Sequence, residues 1–326
     1  LLDAGARVDL TGHQEEVIAV AWSRNGFLLS ASMDRTVRLW HPERSTGAAA
    51  LAVFPHADCC SAVAFHPRDD RLFLTGALDG KLRQWSIAER RVVAWHDLPG
   101  GNQVTAVAYS ANGMVAVAGT ASGHCLLLDA ATLHYHTQIH VRSRRGRNAA
   151  GKRKISGIEC INGPAGDLLL LVSSNDSRVR LYRVKDKEVR VKFRGALNQD
   201  SQLQATTVGS AVVCGSEDGR VVVWAMPDIA GAASLLNPLA LINDKLLKKR
   251  IVVDAFQFFR ATESSGQPVT SVTVPPEPVY DMLVAAKMRS ADGAAGGAAR
   301  FIVTTELTGR VKVFERSNVL QSWLSP

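Results

Sequence analysis

The chain has 326 residues, of which 46% are hydrophobic and 21% charged, and its formal net charge at pH 7 is +8. This composition supports a buried core, and the apolar runs, such as residues 168–172, are far too short to span a bilayer. The five cysteines are an odd number without metal-ligand spacing, which favours reduced thiols and a cytosolic or nuclear compartment. Because the sequence begins at Leu1 and shows no signal-peptide pattern, we expect a segment of a longer polypeptide.

Two similar segments open the chain, and each predicts three short strands joined by tight turns. The first contains Gly12 and His13 and then residues 17–22, 26–34 and 36–40. The second contains His56 and then residues 61–65, 72–80 and 81–85. Alternation over such short runs is typical of any all-β fold. The shared order of His, then Asp, then Trp is the more specific signal.

Four further units follow along the chain and keep the strands while losing parts of this pattern. They comprise residues 104–110, 115–120 and 123–128; residues 155–161, 168–174 and 176–182; residues 212–216 and 218–224; and residues 269–274, 301–305 and 309–314. Their closing residues recur with a period of about 43, which is the length of a four-stranded propeller blade. One interval is longer by about ten residues, and the last is about twice the period, so it holds a long insertion or an unrecognised blade.

The arrangement resembles the WD-repeat (WD40) family, and the resemblance covers nearly the whole chain. It implies an all-β WD40 β-propeller, a single domain over residues 1–326 that is partial at its N-terminus. We expect six recognisable blade units in this segment and seven in the full-length protein.

In this family His, Ser or Thr, Asp and Trp form a buried hydrogen-bonded network in each blade. The resemblance implies such a network in the first unit, with Ser30 or Ser32 as the hydroxyl, in the second unit, and in parts of later ones. Its expected members are His13, Asp34, Trp40, His56, Thr75, Asp79, Trp85, Asp176, Asp218 and Trp224. The third unit has neither the His nor the Asp, and Leu128 replaces Trp, so we expect no network there.

Three runs are similar to one subfamily, the Rab-binding WD-repeat proteins of recycling endosomes. They are residues 66–71, residues 135–143 with 145–148, and residues 173–182. The resemblance implies a membrane-traffic adaptor that is cytoplasmic, peripheral on endosomal membranes, and Rab effector-like. Its partners would be proteins such as a small GTPase or trafficking factors. It does not place a GTPase contact within this segment.

Two insertions and one loop interrupt the repeat. The basic insertion, residues 141–154, contains no acid and carries Arg142, Arg144, Arg145, Arg147, Lys152, Arg153 and Lys154. It is either a solvated loop or a contact for an acidic protein or an anionic membrane surface. Because it lacks aromatic residues, nucleic acid is a poor candidate partner.

The second insertion, residues 228–262, contains Asn237-Pro238, which is typical of a helix start. We expect a helix there that packs against the propeller edge, and a membrane-surface or partner helix is the alternative. Residues 285–299 are rich in Ala and Gly and predict a disordered loop.

No motif predicts catalysis. Phosphate-binding loops and nucleophile elbows are absent from the sequence, and His134, His136 and His140 have no Cys or carboxylate nearby to complete a metal site. We therefore expect a non-enzymatic protein-interaction scaffold without metal, cofactor or small-molecule substrate. The alternatives are a ubiquitin-ligase substrate receptor and a nuclear WD-repeat scaffold that uses the basic insertion as an import signal. No Trp that closes a unit is followed by Asp, which counts against the receptor.

Overall fold

The computed structural model describes residues 10–41, 50–141, 153–163, 166–227, 251–255, 257–260, 269–273, 301–306 and 311–315. In this part of the chain the regular structure is almost entirely β-strand. The chain divides into two compact units, residues 1–160 and 161–326, and the boundary falls within one strand.

The first unit contains three antiparallel sheets of four strands each, and neighbouring strands follow chain order. The first sheet consists of β1 (Val17–Trp22), β2 (Leu28–Ser32), β3 (Thr36–Trp40) and β4 (Ala52–Pro55). The second consists of β5 (Cys60–Phe65), β6 (Leu72–Ala77), β7 (Lys81–Ser86) and β8 (Arg91–Asp97). The third consists of β9 (Val104–Tyr109), β10 (Val115–Thr120), β11 (His124–Asp129) and β12 (Tyr135–His140).

The fourth sheet begins with β13 (Ile155–Asn162), the strand in which the two units meet, and continues with β14 (Leu168–Ser174), β15 (Arg178–Arg183) and β16 (Glu188–Arg194). The fifth contains β17 (Ala205–Val208), β18 (Ala211–Gly215) and β19 (Arg220–Ala225). Later come β20 (Ile251–Asp254), β21 (Gln257–Arg260), β22 (Val269–Thr273), β23 (Phe301–Glu306) and β24 (Val311–Glu315). The strands β22, β23 and β24 form a sixth, three-stranded sheet.

Apolar side chains join consecutive sheets within the first unit. Phe54 of the first sheet meets Phe73 of the second edge to face, with ring centroids 4.8 Å apart, and Phe73 stacks on Trp85. Leu74 and Leu82, on the opposite face of the second sheet, belong to a separate buried cluster with the third sheet. The second sheet is therefore buried on both faces, which agrees with the nearly continuous burial along β6.

The tight turn between the second and third strands of a sheet requires an unusual backbone conformation. In the second sheet Gly80 occupies this position with φ of 78°, and Gly123 occupies it in the third with φ of 85°. Residues with side chains rarely adopt this conformation. Each of these glycines thus fixes where the following strand begins.

The number of complete blades differs from the expectation. In the described residues five sheets have four or more strands, whereas the sixth has three, so there are five complete blades and not six. The sixth unit is nevertheless present as strands, since β23 pairs antiparallel with both β22 and β24.

The second insertion contributes strands at its C-terminal end. β20 pairs in parallel with β16 as a fifth strand of the fourth sheet, and β21 pairs antiparallel with β19 as the fourth strand of the fifth. Their β-branched and aromatic residues favour strands over a helix. Residues 251–254 and 257–260, within the expected insertion 228–262, are thus strands. Residues 228–250, which include the expected helix, and the loop 285–299 lie outside the described residues.

Candidate functional site

The first sheet brings four polar side chains into one network. His13 Nδ1 lies 2.8 Å from Asp34 Oδ2, and His13 Nε2 lies 2.7 Å from Ser30 Oγ. Trp40 Nε1 donates to the same Ser30 oxygen at 2.8 Å. Of the two candidate serines, Ser30 is the network member, because the hydroxyl of Ser32 instead donates to a backbone carbonyl. The network links the segment before β1 to the ends of β2 and β3.

Asp34 is held in its ionised form. Burial raises its pKa, but hydrogen bonds from the Thr36 hydroxyl, from His13 and from the backbone amides of Gln14 and Thr36 outweigh burial and bring the pKa well below its ordinary value. Sequence reasoning did not include Thr36, although a hydroxyl two residues after a turn Asp is a recognisable local pattern. The carboxylate is satisfied on all sides and has a structural role.

The second sheet contains a related network with a defined direction. His56 Nδ1 lies 3.0 Å from the Phe54 carbonyl, so Nδ1 carries the proton and Nε2 is the acceptor. The Thr75 hydroxyl therefore donates to Nε2 over 2.8 Å and accepts from Trp85 Nε1 over 3.1 Å. Burial lowers the pKa of His56 to about 4, which keeps the ring neutral.

Asp79 departs from the expected network. Its carboxylate does not hydrogen-bond to His56 and instead binds the guanidinium of Arg83, with 2.5 Å between Oδ2 and Nη2. Because the His56 ring points toward a backbone carbonyl, it does not bind this carboxylate, and Arg83 is the cation that pairs with it. Asp176 in the fourth sheet binds Arg180 in the same way, also at 2.5 Å. The spacing Asp-x-x-x-Arg is visible in both sequences and could have predicted both pairs.

The fifth sheet differs even more from the expected network. Asp218 pairs with Arg220, two residues on, and not with a histidine. Trp224 Nε1 donates to the backbone carbonyl of Arg194 at 2.7 Å, and not to a Ser or Thr hydroxyl. These members of the expected set are thus placed separately and do not form one network.

The third sheet has a different polar chain at the equivalent turn. The hydroxyls of Thr120 and Ser122 lie 3.1 Å apart, and Ser122 Oγ lies 3.0 Å from His124 Nδ1. His124 stacks on His140 of the neighbouring strand with ring centroids 4.2 Å apart. Within the described residues no group of three or more His, Cys, Asp or Glu side chains is placed to hold a metal ion.

The basic insertion is anchored at both ends to one turn. At its start, Val141 N donates to the Gly123 carbonyl at 2.9 Å. Near its end, the backbone of Arg153 packs closely against Gly123. A Cβ added to this glycine would lie only 2.8 Å from the Arg153 carbonyl oxygen. Arg153 and Lys154 are half-buried, and burial lowers the pKa of Lys154. Residues 142–152, and with them the other five candidate contact residues, lie outside the described residues.

The cysteine thiols show no sign of reactivity. All five are free, and burial raises the pKa of Cys60, Cys125, Cys160 and Cys214 to about 12. A thiol with such a pKa is protonated at neutral pH and is a weak nucleophile. None of the described residues forms a helix that is long and apolar enough to cross a lipid bilayer.

Repeated four-stranded antiparallel sheets are typical of a WD40 β-propeller, and so is a Ser or Thr hydroxyl that joins a Trp indole N–H to a His from the preceding loop. The family described as "WD domain, G-beta repeat" matches residues 7–41 and 50–86, which are the first two units. The chain belongs to the WD-repeat family, and the expected family and all-β propeller class are confirmed.

Several curated proteins are similar to about two thirds of this chain. WD repeat-containing protein 44 of Xenopus laevis is 48% identical over 216 residues, which cover 65% of this chain and 23% of that protein. An uncharacterized WD repeat-containing protein of Schizosaccharomyces pombe is 33% identical over 227 residues, covering 68% and 38% respectively. The 2-deoxy-glucose resistant protein 2 of Saccharomyces cerevisiae is 30% identical over 235 residues, covering 66% and 27%. The matched region thus spans well under half the length of each of these relatives.

Proposed function

We propose that this chain is a non-enzymatic protein-interaction scaffold and that it acts as an adaptor in membrane traffic, in the manner of a Rab effector. The scaffold function is supported by the hydrogen bonds that the polar side chains of the first two sheets make. His13, Asp34, His56 and Thr75 are all engaged with one another or with the backbone. They hold the blades in place, and none of these four side chains is poised to transfer a proton or attack a substrate.

The trafficking role is supported by resemblance at particular runs. Residues 66–71, residues 135–143 with 145–148, and residues 173–182 are similar to the Rab-binding WD-repeat proteins of recycling endosomes. The identity of 48% to WD repeat-containing protein 44 extends over 216 residues. Fold alone does not select a function, because propellers serve many. Endosomal localisation and a small GTPase or trafficking factor as partner are therefore parts of the proposal.

The contact surface that we propose is the basic insertion, with an acidic protein surface as its partner. Val141 and Arg153 hold its two ends at the turn that contains Gly123. Like charges this close in sequence repel one another and contribute little to folding. Arg suits bidentate capture of carboxylates, and four of the seven bases precede residue 148 as Arg.

The test of this surface replaces four arginines by glutamine. The variant Arg142→Gln, Arg144→Gln, Arg145→Gln and Arg147→Gln is compared with the wild type in capture of cytosolic proteins and of anionic vesicles, at several salt concentrations. We expect an unchanged melting temperature, weaker protein capture and a flatter salt dependence, because exposed charges act over a Debye length of only about 8 Å at physiological salt.

A matched control removes the same charge elsewhere on the surface. Arg24, Arg90, Lys185 and Lys187 are exposed, and their replacement by glutamine should leave protein capture unchanged. Equal capture by the wild type and both variants would return the basic insertion to the solvated-loop interpretation. Loss only of vesicle binding, at roughly 1 kcal/mol per base, would identify a membrane surface as its partner.

The trafficking proposal has its own test. The full-length protein carrying a fluorescent tag is followed by microscopy, and captured small GTPases are compared between GTP-loaded and GDP-loaded cytosol. We expect endosomal fluorescence and GTP-dependent capture of a Rab GTPase. Nuclear accumulation without GTPase capture would favour the nuclear scaffold, and co-purification with ubiquitin-ligase subunits would favour the substrate receptor.

A further inference from the structure

The outer edge of the fourth sheet carries an added strand. The four-residue strand β20 pairs in parallel with β16, with Ile251 opposite Val191 and Asp254 opposite Arg194. Within the described residues, each of the first three sheets instead ends at its fourth strand. Addition of an extended segment to a sheet edge is also a common way in which domains bind peptides. The outer edge of β16, which we call the β16 edge, is thus a place that accepts a strand.

β20 covers only part of the β16 edge. The strand β16 has seven residues, and β20 pairs with the last four of them. In the described part of the chain, no strand pairs with residues 188–190 on this side. Parallel pairing is also slightly less stable per residue than antiparallel pairing. A segment of seven residues would therefore make more main-chain hydrogen bonds to β16 than β20 makes.

Few side chains of β20 hold it in place. Ile251 and Val252 are 37% and 44% exposed, whereas Val253 and the following Ala255 are half-buried and pack against the core of the fourth and fifth sheets. Ala255 approaches Gly195 so closely that a Cβ added to this glycine would lie 2.7 Å from the Ala255 Cβ. Two small apolar contacts thus anchor β20, and a competing strand has little side-chain burial to replace.

The side chains of β16 determine which strand fits beside it. Val191 and Phe193 are fully buried in the core of the fourth and fifth sheets. Successive side chains of a strand point to opposite faces, so the residues that alternate with these two lie on the other face. They are less buried and all basic: Arg190, which also binds Asp186, Lys192 and Arg194. The β16 edge therefore has one apolar face and one basic face.

β20 matches the basic face only in part. Asp254 is opposite Arg194, which places unlike charges side by side, but Val252 is opposite Lys192. An acid at the position of Val252 would complement the basic face and would remove an exposed apolar side chain from the surface. A strand in which apolar and acidic residues alternate thus fits the β16 edge better than β20 does.

We propose that the β16 edge is a binding site for an extended segment of a partner protein with alternating apolar and acidic residues, and that β20 is displaced when this segment binds. Main-chain hydrogen bonds supply affinity, and the alternating side chains fix the register. The inference rests on the proposed scaffold function, and it adds a second contact surface that is separate from the basic insertion.

The first test uses fluorescence anisotropy with the full chain and three labelled peptides. The acidic peptide is Thr-Val-Asp-Ile-Asp-Val-Asp. The basic peptide has Lys in place of each Asp, and the polar peptide has Ser in place of Val and Ile. The acidic peptide should bind roughly tenfold more tightly than either of the others, because only it matches both faces of the edge. Equal affinity of the acidic and polar peptides, or no binding of the acidic peptide, overturns the inference.

Displacement of β20 is measured by limited proteolysis of the wild type. Saturation with the acidic peptide should make residues 251–255 susceptible to cleavage, whereas the polar peptide should not. Binding of the acidic peptide without new cleavage would show that it binds elsewhere, and the assignment to the β16 edge would be wrong. This measurement needs no variant protein.

Two variants with the same added charge provide the matched comparison. Val253→Asp removes an anchor of β20, so the acidic peptide should bind roughly tenfold more tightly than it binds the wild type, because the edge is already vacant. Val252→Asp places an acid opposite Lys192 and should instead hold β20 more firmly, which weakens peptide binding by roughly threefold. Equal peptide affinity of the two variants overturns the inference.

The fourfold arginine variant separates this inference from the proposed contact surface. It should bind the acidic peptide as the wild type does. If it loses the acidic peptide while Val253→Asp has no effect, the peptide binds the basic insertion, and the inference about the β16 edge fails while the scaffold proposal stands. If the wild type captures no cytosolic protein although the acidic peptide displaces β20, the scaffold proposal fails and the strand-binding site stands.

Discussion

Thr75→Val is the sharpest test of the network in the second sheet, because it removes one hydroxyl and keeps the shape of the side chain. Thr75 is fully buried, and its oxygen is hydrogen-bonded to both Trp85 Nε1 at 3.1 Å and His56 Nε2 at 2.8 Å. Valine has the same branching at Cβ and fits a β-strand equally well. The shape of the side chain is therefore retained while both hydrogen bonds are lost.

The magnitude follows from what is left unpaired. Trp85 is 6% exposed, so its indole N–H loses its acceptor away from water, at a cost of about 1–3 kcal/mol. His56 Nε2 loses a donor in a partly buried position, which costs about 1 kcal/mol. Thr75→Val should therefore reduce the free energy of unfolding by about 2–4 kcal/mol. Thr75→Ser keeps the hydroxyl and should cost only about 1 kcal/mol for the lost methyl group.

Urea unfolding followed by circular dichroism provides the measurement. The two variants should differ by about 1–3 kcal/mol, with an unchanged dependence on urea concentration. If Thr75→Ser and Thr75→Val lost the same amount, the hydroxyl would have no net role, and the His56–Thr75–Trp85 network would not stabilise the second sheet.

Three further predictions concern other parts of the chain. Asp34→Ala and Asp79→Ala should each lower the free energy of unfolding by roughly 2–3 kcal/mol in urea melts, because each leaves several donors without an acceptor. The folded-state pKa of His56 is about 4, below the usual 6.5, so its contribution is complete above pH 6.5 and is lost as the pH falls toward 4. The wild type should thus lose up to about 3 kcal/mol over this range, and His56→Asn should lose less. Val253→Asp should release β20 from the fourth sheet. Proteolysis should then cut within residues 251–255, while the rest of the chain stays resistant.

Much of the fold was accessible from the sequence because the inner strands carry continuous apolar runs. Residues 17–22, 36–40 and 168–174 were predicted as strands with the bounds that the structure gives. The period of about 43 implied a fourth strand in each blade, but the position of that strand was not predicted. In β8, exposed and half-buried residues alternate along the whole strand, so its side chains provide no apolar run to identify it.

The insertion strands were beyond sequence reasoning for a different reason. β20 has four residues and pairs with β16, which precedes it by more than fifty residues in the chain. Strand pairing at such a separation leaves no local pattern, and the charged stretch before it resembled the end of a helix. The candidate site was also only partly predictable from the sequence. His13, Asp34 and Trp40 were predicted together, but the cation that pairs with Asp79 depended on the orientation of His56.

The turn Asp makes two kinds of hydrogen bond. The bond to a backbone amide is the same in several sheets, whereas the side-chain partners differ. In three sheets the turn Asp accepts the backbone amide two residues on, from Thr36, Lys81 and Arg220 respectively. This bond shapes the turn whatever side chain faces the carboxylate.

The facing side chain can therefore vary without loss of the blade. Asp34 has His13 and Thr36, whereas Asp79 has Arg83, because either set supplies enough donors to a carboxylate under partial cover. In the third sheet the Asp itself is gone, and Thr120 takes over the turn by accepting the His124 amide. The turn no longer needs a facing cation there, so Leu126 can stand where Arg83 stands.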